Sequence, residues 1–179
     1  MKHTVNEDKW VVVSGETSSN RIFAGVLGGS SVSKDERVFE DENQRKELDV
    51  IARKGGSILI VGGADSGKTT LLTRLVRNNL ESSDGFIVLD SATKEYVEAA
   101  IAEVKDKGWK VETNTSVLAT VIGIDVSKGF DEFTEYWKSG GMEEVTFDVV
   151  VYIANSEIRE IYKPVDYVSG SGIAGYIKG

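Results

Sequence analysis

Residues 57–72 read SILIVGGADSGKTTLL: a short apolar run, a glycine-containing turn, then a Lys68-Thr69 pair opening a helical pattern. A continuous apolar run of this length suits a strand buried on both faces. Beyond it, Leu72, Val76 and Leu80 recur at helical spacing. Gly62-Gly63-Ala64-Asp65-Ser66-Gly67-Lys68-Thr69 fits the pattern G-x-x-x-x-G-K-[ST] in full. Each part has a chemical reason. Glycines let backbone N–H groups turn inward around phosphate oxygens, and the following helix aims its partly positive N-terminus at the anion. Lys68 would reach the β- and γ-phosphates, and the Thr69 hydroxyl would take a place on Mg²⁺. The expected phosphate-binding set is Gly62, Gly63, Ala64, Asp65, Ser66, Gly67, Lys68, Thr69 and Thr70. Asp65 is the odd member, because a carboxylate near a triphosphate costs affinity unless it points outward. Aspartate tolerates left-handed backbone better than most residues, so the loop can still form; Asp65 itself reads as a solvated loop acid.

Outward from this loop, strand and helix patterns alternate. Residues 41–56, DENQRKELDVIARKGG, read as a helix that Gly55 stops. FIVLD (86–90) is a second buried strand. TKEYVEAAIAEVKDKG (93–108) is a helix with Val97, Ala100, Ile101 and Val104 on one face and Gly108 as its stop. WKVE (109–112) and SVLATVIGI (116–124) read as strands, and GFDEFTEYW (129–137) as a short helix. TFDVVVYIA (146–154) is a strand, with SEIREIYK (156–163) returning beside it. This alternation predicts an α/β fold in three layers, with a mainly parallel sheet and helices on both faces. Residues 1–40 hold short β-like runs, WVVV, RIFAGVL and RVF, between Ser/Gly-rich connectors, and read as a small appendage. The core is expected at 41–165 and a flexible Gly-rich tail at 166–179.

The 179 residues suffice for one such domain, and the absence of cysteine excludes a disulfide framework or a cysteine-based zinc site. No apolar run approaches the roughly 20 residues of a membrane helix, and MKHTVNEDKW lacks the apolar stretch of a secretory signal. A cytoplasmic protein is therefore expected. The net charge of −8 argues against broad nucleic-acid binding.

In folds with such a loop, an apolar strand ending in an acid holds the magnesium water shell. Asp90 is the candidate, with a turn acid after a strand as its ordinary alternative. Asp125 ends another apolar strand and competes for the same role. Glu95 is the candidate to polarise the attacking water; a glutamate in a first helical turn is also simply favourable with the helix dipole. The expected catalytic set is thus Lys68, Asp90 and Glu95, with Thr69 and Asp90 at the metal. Arg74 and Arg77 lie on the loop helix facing away from phosphate, toward solvent or a partner.

Other motifs fail on context. No N-K-x-D base reader is present, and no arginine occurs between Arg77 and Arg159 to form the lid of a small-molecule kinase. GSGIAG (170–175) fits G-x-G-x-x-G, but too few residues follow for a βαβ unit.

The segment ELDVIARKGGSILIVGGADSGKTTLL (47–72) resembles the core entry of the secretion ATPases of type II and type IV systems, including conjugation and pilus motors. ATVIGIDVSKGFDEFTEYW (119–137) and GGMEEVTFDVVVYIANSEIREI (140–161) are similar to later segments of that family, in the same order. The resemblance implies a RecA-like fold, Mg-ATP, a homo-oligomeric ring and protein contacts with membrane-associated machinery. The family also has a histidine box, an acidic segment after the loop helix and a large N-terminal domain. Here the one histidine is His3, FIVLDSATKEY offers only Asp90 and Glu95, and at most about forty residues precede the core. Two functions are therefore expected in competition: an Mg-dependent ATPase, or a degenerate or regulatory nucleotide-binding module that acts through a partner without turnover.

Overall fold

The computed structural model describes residues 2–6, 9–15, 42–64, 66–79, 85–111, 115–142, 147–164 and 176–178. In chain order these form β1 (Lys2–Asn6), β2 (Lys9–Gly15), α1 (Glu42–Arg53), β3 (Ile58–Gly62), α2 (Lys68–Asn79) and β4 (Gly85–Asp90). They continue with α3 (Lys94–Asp106), β5 (Ser116–Ile122), α4 (Val126–Ser139), β6 (Val149–Ala154), β7 (Glu157–Pro164) and β8 (Tyr176–Lys178). One sheet contains all the described strands, in the order β1-β2-β4-β5-β3-β6-β7-β8. The neighbours from β2 to β6 run parallel, and β1, β7 and β8 add antiparallel edges.

The two-residue period of β3 divides the core. Ile58 and Ile60 pack with Leu48 and Ala52 of α1 and with Leu71, Leu72, Leu75 and Val76 of α2. Leu59 and Val61 face the other way, onto Val97, Ala100, Ile101 and Val104 of α3 and Phe133 and Trp137 of α4. Both faces of the strand are covered, which is why its sequence is uniformly apolar rather than alternating. The result is a three-layer α/β fold with a mostly parallel sheet.

The foot of β3 is fixed by side chains of its neighbours. The Ser57 amide donates to Asp148 Oδ2 at 2.7 Å, and the Asp148 amide returns a bond to the Ser57 carbonyl at 2.8 Å. Ser57 Oγ accepts from the Val117 amide at 2.9 Å. These bonds set the height at which β3 delivers its far end, where the loop begins.

The connections then create a crevice. α2 leaves β3 onto one face, whereas α4 leaves the adjacent β5 onto the other. Such a reversal opens a gap at the carboxyl ends of the two strands, the place where open α/β sheets bind ligands.

Three local expectations differ from what is observed. Residues 109–111 of the expected WKVE strand are irregular. Both edges of β4 are already taken, by β2 and β5, and Trp109 and Val111 instead pack partly buried against the α3–α4 core. The WVVV run belongs to β2, which pairs in parallel with β4 and so joins the central sheet; RIFAGVL and RVF lie outside the described residues. At the other end, β8 pairs with β7, while residues 165–175 lie outside the described residues.

Candidate phosphate-loop site

The loop leaves β3 at Gly62, where space decides the residue. A Cβ there would lie 2.6 Å from Ser66 Oγ and 2.7 Å from the Ile153 carbonyl oxygen, closer than real contacts allow. At Gly63 a Cβ would meet nothing within 4 Å, so that side of the loop is open. Gly67 adopts φ +98°, a conformation L side chains rarely take, and α2 starts at the next residue. Its first turn closes with the Leu71 amide donating to the Gly67 carbonyl at 3.1 Å.

Lys68 is buried at 6 % exposure. Its ammonium folds over the loop and donates to the Gly63 carbonyl and, at 3.4 Å, to Ser66 Oγ. The loop thus has a buried cation in contact with its backbone, at the N-terminus of a twelve-residue helix. Backbone donors, helix dipole and cation all favour an anion there. Ser66 is buried, Ala64 is exposed and Thr70 is half-buried; Asp65 lies outside the described residues.

Asp90 ends β4, which is not the immediate neighbour of β3, because β5 lies between them. Two strand spacings are about 10 Å. The carboxylate nevertheless meets the start of α2: Thr69 Oγ1 donates to Asp90, at 3.0 Å from Oδ1 and 3.2 Å from Oδ2. Asp90 is fully buried. A buried carboxylate needs donors around it, and a second comes from the strand it crosses, with Thr120 Oγ1 donating to Oδ1 at 3.1 Å. Thr120 was not legible as a site residue. Its one signal is a threonine inside the otherwise apolar run 117–122 of β5.

The donor chemistry fits a hard cation. One hydroxyl and one carboxylate, both oxygen donors and already in contact, suit Mg²⁺, which takes one or two carboxylates and completes its shell with phosphate oxygens and water. Among the described residues no group of three or more His, Cys, Asp or Glu could hold a metal ion. Thr69 and Asp90 are the residues here that could hold such a cation.

The remaining candidates fall elsewhere. Glu95 is exposed in the first turn of α3, a helix capped by Thr93, whose side chain accepts from the Tyr96 amide at 3.3 Å. No hydrogen bond or ion pair joins Glu95 to the loop among the described residues. Asp125 caps α4 instead of reaching toward Thr69: Oδ1 accepts from the Ser127 and Lys128 amides at 2.9 and 3.2 Å. Arg74, expected to face solvent or a partner, forms a two-pronged pair with Asp49 of α1, at 3.2 and 2.8 Å. The Arg77 side chain lies outside the described residues.

Sequence reasoning also missed the tip of the β6–β7 hairpin. The Ser156 amide donates to the Ser66 carbonyl, so a turn some ninety residues downstream braces the loop. The return of the chain beside β6 was legible, but this contact depends on β6 pairing with β3.

No protein-family model and no curated protein matches the chain.

Proposed function

We propose that this chain binds a nucleoside triphosphate with Mg²⁺ at residues 62–70 and hydrolyses it. One observation supports this above the others: the Thr69 hydroxyl in direct contact with the fully buried Asp90 carboxylate, at the mouth of the crevice between β3 and β5. In this reading the loop amides and Lys68 hold the phosphates, and Thr69 with Asp90 orders the cation. Charge stabilisation by such fixed groups is the larger part of phosphoryl-transfer catalysis. ATP as the nucleotide, a RecA-like core, a ring-forming oligomer and a link to membrane-associated machinery rest on the resemblance to secretion ATPases. No helix among the described residues is long and apolar enough to cross a membrane, which is compatible with a cytoplasmic place.

The exposure of Glu95 favours a second reading, a module that binds nucleotide without turnover. The test is direct ATP binding beside phosphate release, with and without Mg²⁺. Lys68→Ala should weaken binding by about ten- to a hundredfold, since a hydrogen bond to a charged group contributes about 1.5–3 kcal/mol. Asp90→Asn should retain metal-free binding and lose turnover. Binding by wild type without phosphate release would select the second reading, and unchanged affinity in Lys68→Ala would remove both.

A further inference from the structure

Thr120 lies where β5 passes between Asp90 and the loop it serves. Its hydroxyl has one proton and two lone pairs. One lone pair accepts the Ser91 amide at 2.7 Å, so the proton is directed to Asp90 Oδ1 at 3.1 Å. The Thr120 carbonyl accepts the Ala92 amide at 2.7 Å. Three successive residues are therefore tied to this one: the side chain of Asp90, the amide of Ser91 and the amide of Ala92.

The tie acts where the backbone is least comfortable. Ser91 has φ +56°, a left-handed conformation that costs a non-glycine residue free energy and persists where surroundings over-determine it. Its amide is held by the same hydroxyl that holds the Asp90 carboxylate. The kink ends β4 and keeps the carboxylate leaning across β5 to Thr69.

We infer that Thr120 is a positioning residue for the Asp90 carboxylate, fixing its orientation toward a Thr69-bound Mg²⁺ without touching nucleotide or metal; this rests on the reading given under Proposed function. The bond from Thr120 is separate from the one Thr69 makes. It therefore orients Asp90 whichever way the Thr69 hydroxyl directs its own proton. Hydrogen-bond partners of metal-holding carboxylates change metal affinity about ten- to a hundredfold when removed.

The test measures binding, not turnover. The affinity of a fluorescent ATP analogue is determined with Mg²⁺ and with chelator, and the ratio of the two is compared between variants. Metal-free affinity reports whether the loop is folded. Thr120→Val, similar in shape but without the hydroxyl, should keep the metal-free affinity and lower the ratio about tenfold. Thr120→Ser, which keeps the hydroxyl, should restore the ratio to within about threefold of wild type. If valine does not fold, Thr120→Ala replaces it with the same expectation. A hydroxyl-free variant with the wild-type ratio overturns the assignment, as does a serine variant no better than valine. Wild type that binds no analogue under either condition overturns the nucleotide reading itself.

Discussion

The Ser156 amide donates to the Ser66 carbonyl at 3.0 Å, tying the tip of the β6–β7 hairpin to the loop between β3 and α2. The two-residue turn places Asn155 and Ser156 at φ 50° and 61°, the positive angles that match the twist of a tight hairpin. Serine is the less suited of the two. Ser156→Gly keeps the amide and relieves the angle, so thermal unfolding should show unchanged stability or a gain of up to about 1 kcal/mol. Ser156→Pro demands φ near −65° and removes the N–H. It should cost about 2 kcal/mol or more and weaken ATP binding in the same titration. A proline variant with wild-type binding would sever the hairpin from the loop's function.

Asp90 ends β4 and Asp125 caps the helix that follows β5, so the two can be separated. Asp125→Ala removes an N-cap and should cost about 1 kcal/mol in chemical denaturation while Mg²⁺-dependent nucleotide binding stays unchanged. Asp90→Asn should lower the Mg²⁺ dependence of binding. An Asp125 variant that loses Mg²⁺ dependence would transfer the metal role to the cap.

The Asp49–Arg74 pair joins α1 to α2, with side-chain exposures of 8 % and 18 %. Breaking it on one side takes an ion-pair partner from a largely buried charge. Asp49→Ala should therefore cost about 2 kcal/mol, in the range of charged hydrogen bonds. Replacing both by apolar residues of similar size, Asp49→Leu with Arg74→Met, should recover most of that loss. A double variant no more stable than Asp49→Ala in urea would show that the loss does not come from an unbalanced buried charge.

Tyr162 gives the chain an alkaline limit. Burial, then its hydrogen bond to Glu160 (Oη–Oε2 2.6 Å) and the nearby carboxylate charge, push its hydroxyl up to about 12 from the ordinary 10.0. The folded chain then holds this proton more tightly than the unfolded chain does. The resulting stabilisation is whole below about pH 10 and is lost as pH rises through about 12. Tyr162→Phe should shrink the fall in urea midpoint across that window and leave the neutral-pH slope with pH unaltered. An unchanged alkaline fall would assign it to other groups.

What the sequence by itself determined here is local. The apolar run 57–62, the glycine-bearing loop, the helix from Lys68 and the helix stops at Gly55 and Gly108, both at positive φ, depend on residues close in the chain. Periodicity and backbone sterics report those directly. The Lys68-Thr69 pair was legible from the loop pattern and Asp90 from the end of its own strand, both local features of the chain. The order of the strands was not. β2, β4, β5 and β6 carry similar apolar runs, and which one lies beside β3 depends on pairings and helix crossings far apart in sequence. That order places Thr120 under Asp90 and docks Ser156 on the loop, and the packing of α1 on α2 turns Arg74 onto Asp49.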